Sequence, residues 1–313
     1  MQTTPPDLIV VDNASGDNSV EVITQYIRAR PDAPIYLIAN PVNSGFAGGI
    51  NTGITHALKS KYTYIGSLNP DATADKKWVE SLVDELRRHQ DAGIVTGILA
   101  RTDKKHLDTT GEQYTTWGIP GPRMRDGLLK DVPKQAEYIF GATGGGFIAR
   151  ADMLQDIGLF DEKFFMYFED VDLCFRAQLA GYKVRYTPKA IAYHKLSASS
   201  DKVPGLAIYN TFKNLPMLFG KNTPLALWPH ILPRFALAYA LILSNAVMRG
   251  RGLPALKGFL MSIMYMPRTL ITRRHIQQAR KVPVSYINDI ILHNIPVEQT
   301  GLRKFRSFFT GKP

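Results

Sequence analysis

The sequence is short of cysteine. Cys174 is the only one in 313 residues, which excludes an internal disulfide and suits a reducing compartment. No Cys-x-x-Cys pair or His/Cys cluster points to a structural zinc site. Acidic residues are scarce in one region only. Residues 201–313 hold 3 Asp+Glu against 16 Lys+Arg, a surplus of 13, whereas residues 1–200 hold 24 against 22. The whole net charge of +11 therefore lies C-terminal and predicts an anionic partner there. The start, from Met1 to Asp7, has no basic n-region and no apolar h-region, so no signal peptide is visible. A long apolar run is missing too. The stretch after Arg234 gives about 14 residues where a span needs roughly 20, and Pro229, His230, Pro233 and Arg234 argue against extending it backwards. Interfacial helices on an anionic leaflet are the preferred reading of 205 onward. A core helix with a solvated basic face is the other.

What is present is ample apolar content, 45% by residue, enough for one large domain or a domain with an appendage. Residues 8–12 form an apolar strand ending in Asp12, followed by a turn at 13–18 rich in helix-capping residues. A helix over about 19–30, a strand at 35–38, a Gly-rich loop at 43–49, a helix at 50–58, a strand at 62–68, a helix near 77–89 and a strand at 94–99 continue the alternation. This predicts an α/β domain with a mostly parallel sheet. Residues 101–136, polar and rich in Gly and Pro, read as a lid or binding loop. Then come a strand over 137–150 broken by Gly144, Gly145 and Gly146, a short helix at 151–158, a helix over 169–180 ended by Gly181, and a strand at 182–187. The domain boundary is expected near 200, dividing 1–200 from a helical, basic-apolar region at 201–313.

Five sites carry chemistry. Asn69 and Asp71 close the apolar run 62–66, and a carboxylate past the C-terminal end of a strand sits where open α/β sheets bind ligands. Asp71 could hold Mg²⁺ or Mn²⁺ against diphosphate oxygens, or merely cap the turn after Pro70. Asp12 could accept a hydrogen bond from a base or ribose, or cap the next helix. The loop with Asn43 and Gly45 could bring backbone N–H groups to phosphate, or be a tight turn needing positive φ. Glu169, Asp170 and Asp172 follow Phe164, Phe165, Tyr167 and Phe168. Desolvation there would raise a carboxyl pKa toward that of a general base, although acids also favour helix N-termini. Asp172 and Arg176, at i,i+4, read as a surface ion pair. His194, after a strand, could complete a metal site or touch phosphate.

Together, Ile9-Val-Val-Asp-Asn-Ala-Ser15, Asn43-Ser-Gly-Phe-Ala-Gly-Gly-Ile-Asn51, Leu68-Asn-Pro-Asp71, Gly144-Gly-Gly-Phe147 and Phe160-Asp-Glu-Lys-Phe-Phe-Met-Tyr-Phe-Glu-Asp-Val-Asp-Leu-Cys-Phe-Arg176 resemble the inverting family-2 glycosyltransferases of the GT-A fold, especially bacterial rhamnosyltransferase-like members. The resemblance covers about 8–195. It implies that Asp12, Asn43, Gly45, Asn51, Asn69 and Asp71 bind a dTDP- or UDP-sugar. It makes Asp71 and His194 ligands of a divalent metal (Mg²⁺ or Mn²⁺), Asp170 the base that deprotonates the acceptor, and Gly145, Gly146 and Glu169 the acceptor side. Inversion in one displacement needs no covalent glycosyl-enzyme, unlike the retaining hydrolases. The implied acceptor is a glycan or lipid-linked sugar at the cytoplasmic face of the plasma membrane, with the enzyme peripheral. The family pattern opens with a strand-helix unit walling the nucleotide pocket, and this chain is expected to be shortened by that unit. A non-catalytic sugar-nucleotide-binding remnant is the competing class. Nucleic acid is not an expected partner: no RNP, KH or zinc-finger signature is present.

Overall fold

The computed structural model describes residues 2–195 and 203–294. The first element, β1 (Leu8–Asp12), pairs in parallel with β2 (Ile35–Ala39) through α1 (Ser19–Arg28). These two strands stand apart from the main sheet. Among the described residues no strand pairs with the free edge of β1, or with the edge of β3 (Tyr64–Leu68) away from the main sheet. What joins the two sheets is α2 (Gly45–Lys59), which packs Ala47, Ile54 and Ala57 into the core shared by Ile9 and Ile65.

The main sheet runs β3, β10 (Gly146–Arg150), β5 (Ala92–Arg101), β11 (Lys183–His194), β4 (Ala72–Ala74), with β6 (Leu107–Thr109) on β5 and β9 (Glu137–Ile139) on β11. Its α/β class and helical extension are as expected. The sheet is mixed, however. β10 enters antiparallel to both β3 and β5, while β5 and β11 are parallel. β5 is buried along all but its last residue, as a strand covered on both faces should be. Its outer cover is α3 (Trp78–Arg88), which contributes Trp78, Leu82 and Leu86. The ladder between β11 and β5 slips between Tyr186 and Ile191. There the Ala190 carbonyl presses on Gly97, where a Cβ would lie 2.1 Å from it, so only glycine fits.

Two loop readings are corrected. Residues 107–116 are not an open lid: β6 and β7 (Glu112–Tyr114) are buried, and Tyr114 packs at 5.1 Å from Phe175 in a second core. β7 pairs with β8 (Pro120–Pro122). The Gly-rich loop at 43–49 is already helix from Gly45.

After β10 come α4 (Ala151–Ile157) and α5 (Glu169–Leu179). α5 is enclosed by the C-terminal helices α6 (Leu206–Asn222), α7 (Trp228–Met248), α8 (Gly252–Gln278) and α9 (Val284–Ile290). Gly258 lets α8 cross α6 closely, its Cβ direction filled by the Tyr209 carbonyl. The enclosure corrects the reading of Asp172 and Arg176. Their ion pair (2.9 Å) is buried, and Lys221 and Asn222 of α6 also bond Asp172. α7 continues through Pro233 as one helix of 21 residues, longer than the apolar run predicted. With the turn before it, Leu225–Met248 is long and apolar enough to cross a bilayer by length and composition.

Candidate active site

The end of β3 and the end of β11 deliver one cluster. His194 Nε2 lies 3.0 Å from Asp71 Oδ1 and 3.3 Å from Asn69 Nδ2. On its other side Nδ1 faces Asp108 Oδ2 at 2.8 Å, and Asp108 is paired with Arg125 at 3.1 Å. The Asp108 hydrogen bond holds the imidazolium above the usual histidine range. Burial works against it and the Asp71 charge adds to it. A carboxylate behind one ring nitrogen orients the other, which is how metal-binding histidines are set. Among the described residues no three His, Cys, Asp or Glu side chains converge on one point. Asp71 and His194 are two donors, hard oxygen and imidazole nitrogen, whose contact atoms already meet. A cation shared with diphosphate oxygens needs no more protein ligands than this.

A glycine turn links this cluster to the second one. The Asn69 N–H donates to the Gly145 carbonyl at 3.1 Å. One residue earlier, the Gly144 N–H donates to Asp170 Oδ2 at 2.8 Å. Phe46, from α2, lies where a side chain on Gly144 would go. Asp170 therefore starts α5 facing the turn that also holds Asn69. Burial raises its carboxyl pKa, although the Gly144 and Val171 N–H groups oppose the shift. Neighbouring Glu169 is pushed well above the usual range by burial and then by Asp170, and its Oε2 is buried without a partner. Glu112 of β7 is raised in the same way, by burial and then by the Asp170 charge. Like charges this close in a low dielectric cannot all ionise.

The segment leading into Asp170 is strained. Phe165, Tyr167 and Phe168 have φ of 63, 70 and 69°, each a conformation that costs about 1–3 kcal/mol outside glycine. α6 holds them there. The Asn214 amide, fully buried, donates to the carbonyls of Phe164, Met166 and Tyr167 at 3.0, 2.9 and 2.8 Å. Lys213 reaches the Phe164 carbonyl at 3.2 Å, its pKa pushed down to about 8 by burial.

The remaining predicted residues fall out unevenly. Asp12 is buried at the end of β1 and accepts from the Ser15 N–H. Asn43 accepts from the Gly45 N–H and from Asn13, whose amide also reaches the Gly45 carbonyl. Gly45 has φ +74° and packs directly on the Phe165 carbonyl. That carbonyl takes the Ala47 N–H, so part of the expected phosphate cradle is occupied by the chain itself. Asn51 has a structural duty. Its amide brackets the Phe160 backbone (2.9 and 3.0 Å) and bonds Glu162. Gly146 is a sheet residue whose carbonyl accepts from Thr96. Gly145 is at the turn itself. Asp108, Glu112 and Asn214 were not foreseen. Asp108 and Glu112 lay in a stretch read as loop, and Asn214 in the basic tail. No local spacing marks any of the three.

Residues 2–158 match the family model described as Glycosyl transferase family 2. The chain belongs to that family. A poly-beta-1,6-N-acetyl-D-glucosamine synthase of Staphylococcus aureus (strain COL) is 21% identical over 187 residues, 60% of this chain and 42% of the synthase. The chain thus spans less than half of that relative's length. An N-acetylglucosaminyl-diphospho-decaprenol L-rhamnosyltransferase of Mycobacterium tuberculosis (strain CDC 1551 / Oshkosh) is 23% identical over 223 residues, 64% of this chain and 70% of the relative. Among solved structures, the mannosyltransferase PcManGT from Pyrobaculum calidifontis, with GDP-Man and Mn²⁺, covers 99% of this chain and 76% of its own at TM-score 0.50 and 15% identity. GalNAc-T7 with UDP, GalNAc and Mn²⁺ covers 68% and 41% at TM-score 0.52 and 14% identity. At such identities these likenesses speak for the shared GT-A fold of this family-2 glycosyltransferase.

Proposed function

We propose that this chain is an inverting, metal-dependent glycosyltransferase. It would move a hexose, with a rhamnose-like sugar favoured, from a dTDP- or UDP-sugar to a glycan or lipid-linked acceptor at the cytoplasmic membrane surface. One observation carries the reading. Two stations of opposite use, the Asp71/His194 pair and Asp170, are joined through one glycine turn by the Asn69–Gly145 and Gly144–Asp170 hydrogen bonds. The similarity to a rhamnosyltransferase and the Mn²⁺ in neighbouring structures support it. Residues 1–200 form the catalytic unit in this reading, and 201–313 the membrane-associating one.

In this mechanism Asp170 takes the acceptor hydroxyl proton as that oxygen attacks the anomeric carbon. Glu169 and the Gly145 turn position the acceptor. Asp12 and Asn43 line the nucleotide side. Asp71 and His194 would hold the metal, which would supply positive charge to the leaving diphosphate. Asn214 and Lys213 keep the base in place.

Calorimetric titration of the chain with UDP and dTDP, with and without Mn²⁺, tests the proposal. Micromolar binding that requires the metal is expected, and absence of binding by the folded protein would sink it. Binding without turnover in a donor and acceptor screen would leave only a sugar-nucleotide-binding module.

Two variants probe the supports. Asp108→Ala should weaken Mn²⁺ binding about 10- to 100-fold, because His194 loses the partner that orients it. Equal affinity by calorimetry would remove Asp108 from the site. Asn214→Ala should lower kcat about 10- to 100-fold with donor Kd unchanged, since a misplacement of about 1 Å is worth that much. A loss seen only in Kd would contradict the positioning role.

A further inference from the structure

The described part of the chain exposes 22 large hydrophobic side chains, and 13 of them lie between Leu225 and Ile271. A cluster this size on a protein surface marks an interaction site. On α8 the exposed Leu256, Leu260, Ile263 and Ile271 recur every three or four residues or at multiples of that spacing, so they share a face. This face flanks Phe259, which touches Tyr239 of α7 at 6.1 Å. The outward side of α7 adds Leu237 and Leu241, at 53% and 61% exposure.

Cations bound this plate at both ends. At the hairpin tip are Arg249 and Arg251. At the root, where Arg273 lies 5.0 Å over the Trp228 ring, a groove of about 400 Å³ opens between the turn before α7, the end of α8 and the start of α9, lined by Leu225, Leu270, Arg273, Arg274 and Arg280 and by no acidic side chain. Arg273 is committed to the Gly220 and Thr223 carbonyls. Arg274 and Arg280 have no carboxylate partner among the described residues. Planar guanidinium groups beside apolar walls suit a phosphate ester carrying hydrocarbon.

We propose that the outward faces of α7 and α8 lie flat in a bilayer leaflet, and that the Arg274/Arg280 groove takes the headgroup of an anionic phospholipid. The proposal deepens, and rests on, the membrane-surface reading above. α7 is long enough to span, but it is held along α6 by the Phe235–Phe219 stack (4.9 Å) and by the Tyr239 hydroxyl on the Phe212 carbonyl (2.9 Å). Spanning would break both, and would require carrying Arg249 and Arg251 across the hydrocarbon to the far side. A two-fold pairing with a second copy would set the plate's cations against one another, or against leucine.

The test is co-sedimentation of the full chain with vesicles of phosphatidylcholine alone, and of phosphatidylcholine with about one-quarter phosphatidylglycerol, for wild type, Leu241→Glu/Ile263→Glu and Arg274→Glu/Arg280→Glu. Leu241, Ile263 and Arg274 are exposed and Arg280 is half-buried, so nucleotide binding by each variant serves as the control for folding. Wild type should prefer the anionic vesicles. The apolar-face variant should bind neither kind. The groove variant should lose affinity for anionic vesicles by roughly 30-fold or more, at about 1 kcal/mol per basic residue. Unchanged anionic binding by the groove variant would overturn the headgroup site while leaving the membrane reading standing. Failure of wild type to bind any vesicle, with a dimer that the apolar-face variant dissociates or salt-sensitive binding to duplex DNA, would overturn both.

Discussion

Asp170→Asn should abolish sugar transfer while sparing the donor site. The expected loss in kcat is about 10³-fold, within the usual 10²–10⁴ range for a general base, with donor Kd changed less than about threefold. The substitution is conservative in shape. An asparagine Oδ1 can still accept from the Gly144 N–H that now holds Asp170 Oδ2 at 2.8 Å, so the start of α5 keeps its geometry and only proton acceptance is lost. The pH profile gives a second readout. Burial raises the Asp170 carboxyl, and the base works only when ionised. Wild-type kcat/KM should therefore fall as pH drops through a value above the ordinary aspartate pKa of about 3.9. Glu169→Gln should do less to kcat, because burial and the Asp170 charge disfavour that carboxylate and push its pKa well up, so it is the poorer proton acceptor. An Asp170→Asn enzyme with undiminished kcat would remove the base assignment.

Asp172→Ala should be the most damaging change to stability, at about 3–5 kcal/mol. The carboxylate is fully buried and accepts from Arg176 Nε, Lys221 Nζ and Asn222 Nδ2 at 2.9, 2.9 and 2.8 Å. Removing it leaves Arg176 and Lys221 as buried cations, with Asp161 the remaining acid, itself shared with Arg268. Burial alone would raise the Asp172 carboxyl. Lys221 and then Arg176 overcome that and hold it below the usual range. Its folded pKa is thus lower than its unfolded one, so its contribution is complete above an unfolded value of about 3.9 and is lost as pH falls through the folded pKa. Urea unfolding at pH 7 should show the full difference between wild type and variant. The two curves should approach each other in strong acid. A difference under about 1 kcal/mol at pH 7 would show that α5 is not locked by this network.

Legibility varied with the kind of signal. The strand ends at Asp12, Asn69 and Asp71 could be read because apolar runs followed by polar turn residues are local patterns. The Phe160-to-Arg176 stretch was read through its length and specificity. The burial of Asp172 and Arg176 could not be read. An i,i+4 acid-base pair looks alike whether it faces water or a second helix, and only α6 and α8 decide which. For the same reason the bond between the Asn51 amide and the backbone of Phe160, far along the chain, could not be read. The stretch 107–116 has no periodicity because its short strands are buried within the fold, so hydrophobic alternation never developed.

By itself the sequence determined the α/β character, the placement of the acidic stations at strand and helix ends, and the segregation of positive charge after residue 200. These are properties of local periodicity and composition. Only the tertiary structure decided that Asp108 stands behind His194, that Gly144 holds Asp170, that Asn214 clamps three carbonyls of the strained segment before α5, and that the apolar side of α7 and α8 faces outward. Each of these joins residues tens of positions apart, or depends on which face another element covers. Such contacts follow from packing and loop closure, not from the spacing of residues along the chain.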